Sequence, residues 1–132
     1  MHKKQRGYIA ELAVAKYLTE FGFSVLLPYG ENQRYDLVAE QSGRFWRIQV
    51  KYSTPKDGAL RVNCASSNNW SVKKYTADEI DLMAVYDAFT GEIYFLETTD
   101  LKNSNLKLRV APTKNNQEKF IHYAGEFVRF PY

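Results

Sequence analysis

The chain has 132 residues, of which 45% are hydrophobic and 25% are charged. This length predicts a single domain spanning residues 1–132, and the composition excludes a disordered, collagen-like or coiled-coil protein. No segment reaches the roughly 18 consecutive apolar residues that a transmembrane helix needs, so no membrane partner is expected. The single cysteine, Cys64, excludes an internal disulfide framework and predicts a cytoplasmic protein in a reducing compartment.

Charge is distributed unevenly along the chain. The 18 Lys and Arg exceed the 15 Asp and Glu by three. Every charged residue between positions 78 and 100 is acidic, whereas nearly all of those between 102 and 119 are basic. This pattern is typical either of an ordinary solvated surface or of a basic face that binds a phosphate backbone.

The first predicted element is a helix over residues 6–21, where apolar side chains recur at helical spacing. We expect its apolar stripe to comprise Ile9, Leu12, Ala13, Tyr17 and Phe21. A short strand is expected over 24–27. Residues 35–40 and 45–52 flank a turn that contains glycine, which predicts a β-hairpin.

The remainder of the chain is expected to supply further strands and one short helix. Residues 80–86 are apolar at nearly every position, which is typical of a strand buried on both faces. Further strands are expected at 59–65, 92–97 and 106–110, a loop at 66–71, and a short helix at 115–123. Strands joined mostly by short turns predict an α+β domain, with a mixed central β-sheet and the N-terminal helix packed over the hairpin.

Four polar residues could converge on one side of this hairpin. Gln49 and Lys51 project from the same face of a strand, because their positions differ by two. Asp36 opens the neighbouring strand, and Glu11 on the helix could reach the same place. Carboxylate and amide oxygens are ligands that Mg²⁺ prefers, and a nearby lysine can stabilise a developing oxyanion. The cluster suits metal-assisted phosphodiester hydrolysis, although an ordinary surface hairpin would show the same spacing.

Three short segments resemble the PD-(D/E)XK nuclease superfamily in order and spacing. Residues 7–15 resemble its first helix, residues 34–37 its first core motif, and residues 48–51 its second. Tyr35 stands where the superfamily has proline, and Gln49 stands where it has an acid. The small size and the Gln-X-Lys variant are most similar to the intron-encoded homing endonucleases of this superfamily.

The resemblance implies a restriction-endonuclease-like core and a sequence-specific double-stranded DNA endonuclease that depends on Mg²⁺ or Mn²⁺. The implied catalytic residues are Glu11, Asp36, Gln49 and Lys51. Glu11, Asp36, the Gln49 amide oxygen and the Val50 backbone carbonyl would bind the metal, and Lys51 would assist the nucleophile. A homo-oligomer, either a dimer or a tetramer, is also implied.

Basic and amide side chains after the hairpin are candidates for DNA contact, and a two-stranded β-ribbon around residues 106–110 would fit the major groove. The candidates are Arg34, Lys56, Arg61, Asn63, Lys73, Lys74, Lys107 and Arg109. Two alternative functions stay open. One is a structure-selective resolvase of the Holliday-junction type, and the other is a nucleic-acid-binding module that has lost catalysis with its third acid.

Overall fold

The computed structural model describes residues 1–67, 72–101, 105–111, 122–128, 130 and 131, apart from the side chains of 65–67, 72–74 and 122. It begins with one long helix, α1 (Lys3–Glu20), which strands follow. The strands are β1 (Ser24–Leu26), β2 (Leu37–Gln41), β3 (Arg44–Ser53), β4 (Ala59–Asn63), β5 (Ala65–Ser67), β6 (Val72–Lys74), β7 (Leu82–Asp87), β8 (Ile93–Glu97), β9 (Asn105–Arg109) and β10 (His122–Tyr123). Short 3₁₀ helices occupy Thr98–Asp100 and Ala124–Phe127. None of the helices among these residues is long and apolar enough to cross a membrane.

Helix α1 starts three residues earlier than predicted, because His2 caps it. The His2 Nδ1 atom accepts a hydrogen bond from the Lys4 N–H at 3.2 Å. The Gln5 side chain accepts one from the His2 N–H at 3.1 Å, which completes a reciprocal capping box. These bonds satisfy backbone donors at the helix start that would otherwise lack partners.

The buried face of α1 differs from the predicted apolar stripe. Ala10, Val14 and Leu18 are fully buried, whereas Leu12 is 70% exposed and Ile9 is also exposed. The predicted residues Ala13 and Tyr17 pack against this core, but the prediction was wrong for Ile9, Leu12 and Phe21, because two apolar faces lie side by side on this helix. The face with the smaller residues packs on the sheet, where it allows a close approach.

The main sheet has the order β1-β2-β3-β7-β8 and is mixed, as predicted. Only β3 and β7 pair in parallel, and the other neighbours are antiparallel. The β2–β3 hairpin turns at Ser42 and Gly43, which both have positive φ, the conformation that a two-residue hairpin turn favours.

The two faces of the main sheet each cover a hydrophobic core. Trp46, Ile48 and Val50 of β3 point toward α1 and join its buried side chains in a first core. On the other face, side chains of β7 and β8 pack against β4 and β9 in a second core. Strand β7 therefore contributes to both cores, which confirms the prediction that this strand is buried on both faces.

Aromatic side chains from distant parts of the chain close the first core. Phe130 is buried, with its ring centroid 4.6 Å from Phe23, 5.3 Å from Trp46 and 5.1 Å from Phe95. The first core is thus assembled from α1, the sheet and the C-terminal residues together.

A second sheet has the order β10-β9-β4, and β5 pairs with β6. The predicted strand at 59–65 is divided into two strands, β4 and β5. Strand β5 extends into the segment 66–71, where a loop was expected, and residues 68–71 lie outside the described part of the chain. A helix was expected at 115–123, and its residues 115–121 also lie outside the described part of the chain. Residues 122 and 123 form β10, which pairs in parallel with β9, so the helix prediction was wrong there.

Candidate active site

Glu11 and Asp36 line one cavity of about 380 Å³ between α1 and the loop that leads into β2. Glu11 follows the buried Ala10, which fixes this turn of α1 against the sheet and leaves the carboxylate at the edge of the cavity. Burial raises the pKa of Glu11, and the negative charge of Asp36 raises it further. The two carboxylates therefore share one cavity, where their negative charges repel one another.

Asp36 is held against β3 through its backbone and its side chain. Its N–H donates to the Ile48 carbonyl at 2.8 Å, and its Oδ2 accepts from the Val50 N–H at 2.8 Å. Burial raises the pKa of this carboxyl, and the Val50 hydrogen bond and the charge of Lys51 partly oppose that effect. One carboxylate oxygen thus has a fixed position, while the other has no hydrogen bond recorded among the described residues.

Lys51 alternates along β3 with the side chains that point toward α1, and its own side chain is half-buried. Its Nζ lies 5.2 Å from the centroid of the Tyr75 ring. Burial lowers the pKa of Lys51, while the negative charge of Asp36 raises it. The ammonium group is thus oriented by an aromatic face and interacts electrostatically with the Asp36 carboxylate.

Gln49 lies on the same face of β3 as Lys51, as the alternation predicted, and is half-exposed. Among the described residues no hydrogen bond joins Gln49 to Glu11 or Asp36. That part of the chain contains no group of three or more His, Cys, Asp and Glu that could hold a metal ion. The structure therefore gathers Glu11, Asp36 and Lys51, and the ligand roles stay predictions.

Several candidate DNA-contact residues share one exposed surface. In the β4–β9 pair, hereafter the ribbon, Arg61 lies opposite Lys107 and Asn63 lies opposite Asn105. These four residues are exposed, because Leu60, Val62, Leu106 and Leu108 alternate with them into the second core. Arg109 is half-buried at the end of the ribbon, where its guanidinium donates to the carbonyls of Asp57 and Ala111.

The other candidates lie elsewhere. Lys56 is exposed in the turn before β4, and the side chains of Lys73 and Lys74 are outside the described part of the chain. Arg34 pairs with Glu79, with Nη1 2.9 Å from Oε1, and its guanidinium stacks 4.1 Å from the Tyr75 ring centroid. Arg34 thus has a structural role that the sequence did not reveal, and its contact with DNA stays a prediction.

An ion pair that sequence reasoning missed fixes the start of the parallel β3–β7 pair. Arg47 Nε donates to Asp81 Oδ2 at 3.0 Å, and the Arg47 backbone N–H donates to the same oxygen at 2.8 Å. The Arg47 guanidinium also donates to the carbonyls of Ala77 and Asp78, and the Asp81 N–H donates back to the Arg47 carbonyl. Part of the acidic segment 78–100 therefore holds the sheet together. No local pattern could have revealed this, because the partners are far apart in sequence.

Comparison with known proteins bears on the family and the fold. The PD-(D/E)XK endonuclease family matches residues 1–130. A solved bacterial homing endonuclease, I-Ssp6803I, is similar, with a TM-score of 0.75 and 25% sequence identity over 90% of this chain and 84% of that chain. Archaeoglobus fulgidus Hjc, a Holliday junction resolvase, has a TM-score of 0.44 and 16% identity, over 73% of this chain and 84% of its own. No curated protein matches the chain. The chain therefore belongs to the PD-(D/E)XK endonuclease family.

Proposed function

We propose that this nuclease is a metal-dependent, sequence-specific double-stranded DNA endonuclease of the homing type. The observation that carries the proposal is the cavity that Glu11 and Asp36 line together, with Lys51 near enough to Asp36 for their charges to interact. The similarity to a bacterial homing endonuclease over most of both chains supports the same activity.

The two carboxylates fit a divalent cation. Burial and mutual repulsion raise the pKa of Glu11, so its negative charge lacks compensation, which a bound cation would supply. Glu11 and Asp36 would hold Mg²⁺ or Mn²⁺, together with the Gln49 amide oxygen and the Val50 backbone carbonyl. When bound, such an ion supplies activation of water and neutralisation of charge on phosphorus.

Lys51 would act on the substrate directly. Its ammonium group can donate hydrogen bonds to a non-bridging phosphate oxygen, whose negative charge grows as water attacks. The Tyr75 ring limits the positions that Lys51 Nζ can adopt, and the Asp36 charge favours its protonated form. Asp36, held by the Val50 N–H, would keep its carboxylate in place throughout the reaction.

The ribbon would supply sequence recognition. A two-stranded ribbon fits the major groove, where Arg or Lys can donate to guanine and an amide can bind adenine. Arg61, Asn63 and Lys107 alternate with residues of the second core and are exposed. Lys56 and Arg109 at the end of the ribbon, together with Arg34, Lys73 and Lys74, would contribute phosphate contacts.

We also propose a homo-oligomer, either a dimer or a tetramer, that acts in the cytoplasm. One ribbon spans a short stretch of duplex, so a long or palindromic target needs further copies. Apolar side chains near the cavity are exposed, with Leu12 at 70% and Leu27 at 74%. Sedimentation equilibrium of the wild type and of Leu12→Lys tests this, because the charge should dissociate copies that pack through this surface.

Cleavage selection from a random duplex library with Mg²⁺ tests the function. A homing-type enzyme should enrich one target, and Asp36→Asn and Glu11→Gln should not cut it. Both substitutions are near-isosteric and remove only charge, so DNA binding should persist. Cleavage of a four-way junction alone would instead indicate a resolvase. Binding without any cutting would indicate a non-catalytic module.

A further inference from the structure

A second cleft lies between the first turns of α1 and the end of β3, and it is basic. It has a volume of about 320 Å³ and is lined by Lys3, Arg6, Gly7, Val50, Lys51 and Tyr52. Within the described residues, none of its three cationic side chains forms an ion pair. Lys3 and Arg6 therefore face a small space together with Lys51, whose charge also interacts with Asp36, and this excess of positive charge makes the cleft suited to an anion.

Gly7 lies within α1, where glycine is unfavourable because it loses much backbone freedom. A Cβ atom at this position would meet no atom within 4 Å, so packing does not require a glycine here. The missing side chain instead keeps the wall of the basic cleft open. Such an opening lets a ligand approach the helix backbone closely.

The basic cleft is aligned with the candidate catalytic residues along α1. Lys3, Gly7 and Glu11 are spaced by four residues, so they lie on one side of the helix at steps of about 6 Å. Lys51 is shared, because it lines the basic cleft and also interacts electrostatically with Asp36. A DNA strand with one phosphate at Glu11 and Asp36 would therefore pass the basic cleft.

We propose that this basic cleft binds a neighbouring phosphate of the cleaved strand, with Lys3 and Arg6 as its contacts and Gly7 leaving room for the backbone. The inference rests on the proposed function, because it takes the cleaved phosphate to lie at Glu11 and Asp36. The cleft would fix the strand relative to the carboxylates, so Lys3 and Arg6 are substrate-binding residues.

The first test measures binding of a random-sequence duplex by fluorescence anisotropy in Ca²⁺ over a range of salt concentrations. Lys3→Ala and Arg6→Ala should each lower the log–log salt slope by about 0.9, the value of one phosphate contact. Lys4→Ala is the matched control, because Lys4 is exposed on the same helical turn and does not line the cleft. Equal slopes for Lys3→Ala and Lys4→Ala would overturn the proposal.

A second variant tests the opening at Gly7. Gly7→Leu should preserve or raise the melting temperature, because nothing lies near the added Cβ and leucine favours helix. The same variant should bind the duplex more weakly. Unchanged binding by a folded Gly7→Leu protein would contradict close approach of DNA at this position.

The position of the phosphate is tested on the duplex that the library selection yields. Single neutral methylphosphonates are placed at each phosphate around the cleaved bond, and binding is compared for the wild type and Lys3→Ala. A methylphosphonate at one position next to the cleaved bond should weaken DNA binding by the wild type. It should change binding by Lys3→Ala little, since the methylphosphonate and the substitution remove the same contact. Additive effects at every position would refute the assignment. If the wild type cleaves the duplex but Lys3→Ala shows no such coupling, only this inference is overturned. If Lys3→Ala and Arg6→Ala lower the salt slope but the wild type cleaves nothing, the proposed activity is overturned and the cleft still binds a phosphate.

Discussion

Asp36 has two separable roles, because one of its oxygens is a hydrogen-bond acceptor and its charge is buried. Its Oδ2 accepts from the Val50 N–H at 2.8 Å, and Val50 is only 8% exposed. An alanine would leave this donor without its partner, at a cost of about 1–3 kcal/mol. An asparagine keeps an acceptor oxygen in the same place. We therefore expect Asp36→Ala to be less stable than Asp36→Asn by about 1–3 kcal/mol.

The charge of Asp36 has the opposite effect on stability. Burial raises its pKa, so its contribution to stability is present below the unfolded pKa and is lost as pH rises through the folded pKa. At neutral pH the ionised group is thus a net cost in the metal-free protein. Asp36→Asn should match or exceed the wild type in free energy of unfolding at neutral pH, and this advantage should disappear in acid.

Urea denaturation of the three metal-free proteins measures both effects, and cleavage assays on the same samples should show a loss of orders of magnitude for both variants. Equal stability of Asp36→Ala and Asp36→Asn would show that the Val50 contact contributes nothing. A clear loss of stability in Asp36→Asn at neutral pH would refute the argument that the charge is costly.

Three further outcomes are expected. Burial raises the pKa of Glu11 and of Asp36 above 4.5 and 3.8, so NMR titration of the metal-free protein should show both carboxyl groups protonating above these values; a midpoint at or below them would refute this. Gln49→Glu should keep activity and reach it at lower Mg²⁺ in a metal titration, because a carboxylate oxygen can replace the amide oxygen. If that variant folds but is inactive at every Mg²⁺ concentration, the amide donor is needed instead. Replacing Arg61 and Lys107 together by alanine should lower the salt slope of duplex binding by about 2, and an unchanged slope would remove the ribbon from the DNA interface.

The hairpin was predictable because its signals are local. Trp46, Ile48 and Val50 alternate with polar residues along β3, and alternation with a period of two assigns each side chain to one face of a sheet. Asp36 and Lys51 could therefore be placed near each other from their positions in the two strands. Glu11 is far away in sequence but could reach the same place from the predicted helix, and the resemblance to a nuclease superfamily then implied its role.

Other features were not predictable, because they depend on packing between distant segments. Helical periodicity could not decide which of two adjacent apolar faces of α1 would pack on the sheet, and Leu12 proved exposed. The pairing of Arg47 with Asp81 and of Arg34 with Glu79 joins segments that only the parallel β3–β7 crossover brings together. The basic cleft likewise arises from the placement of Lys3 and Arg6 over the end of β3.

The place of Phe130 in the first core also bears on how the protein is made. Its ring touches Phe23, Trp46 and Phe95, so the core beneath α1 lacks one wall until residue 130 has been synthesised. Until then, the apolar side chains that Phe130 covers stay exposed, because contacts between residues distant in sequence form late in folding. The carboxylates supported by that core would then reach their final positions only after residue 130 has left the ribosome.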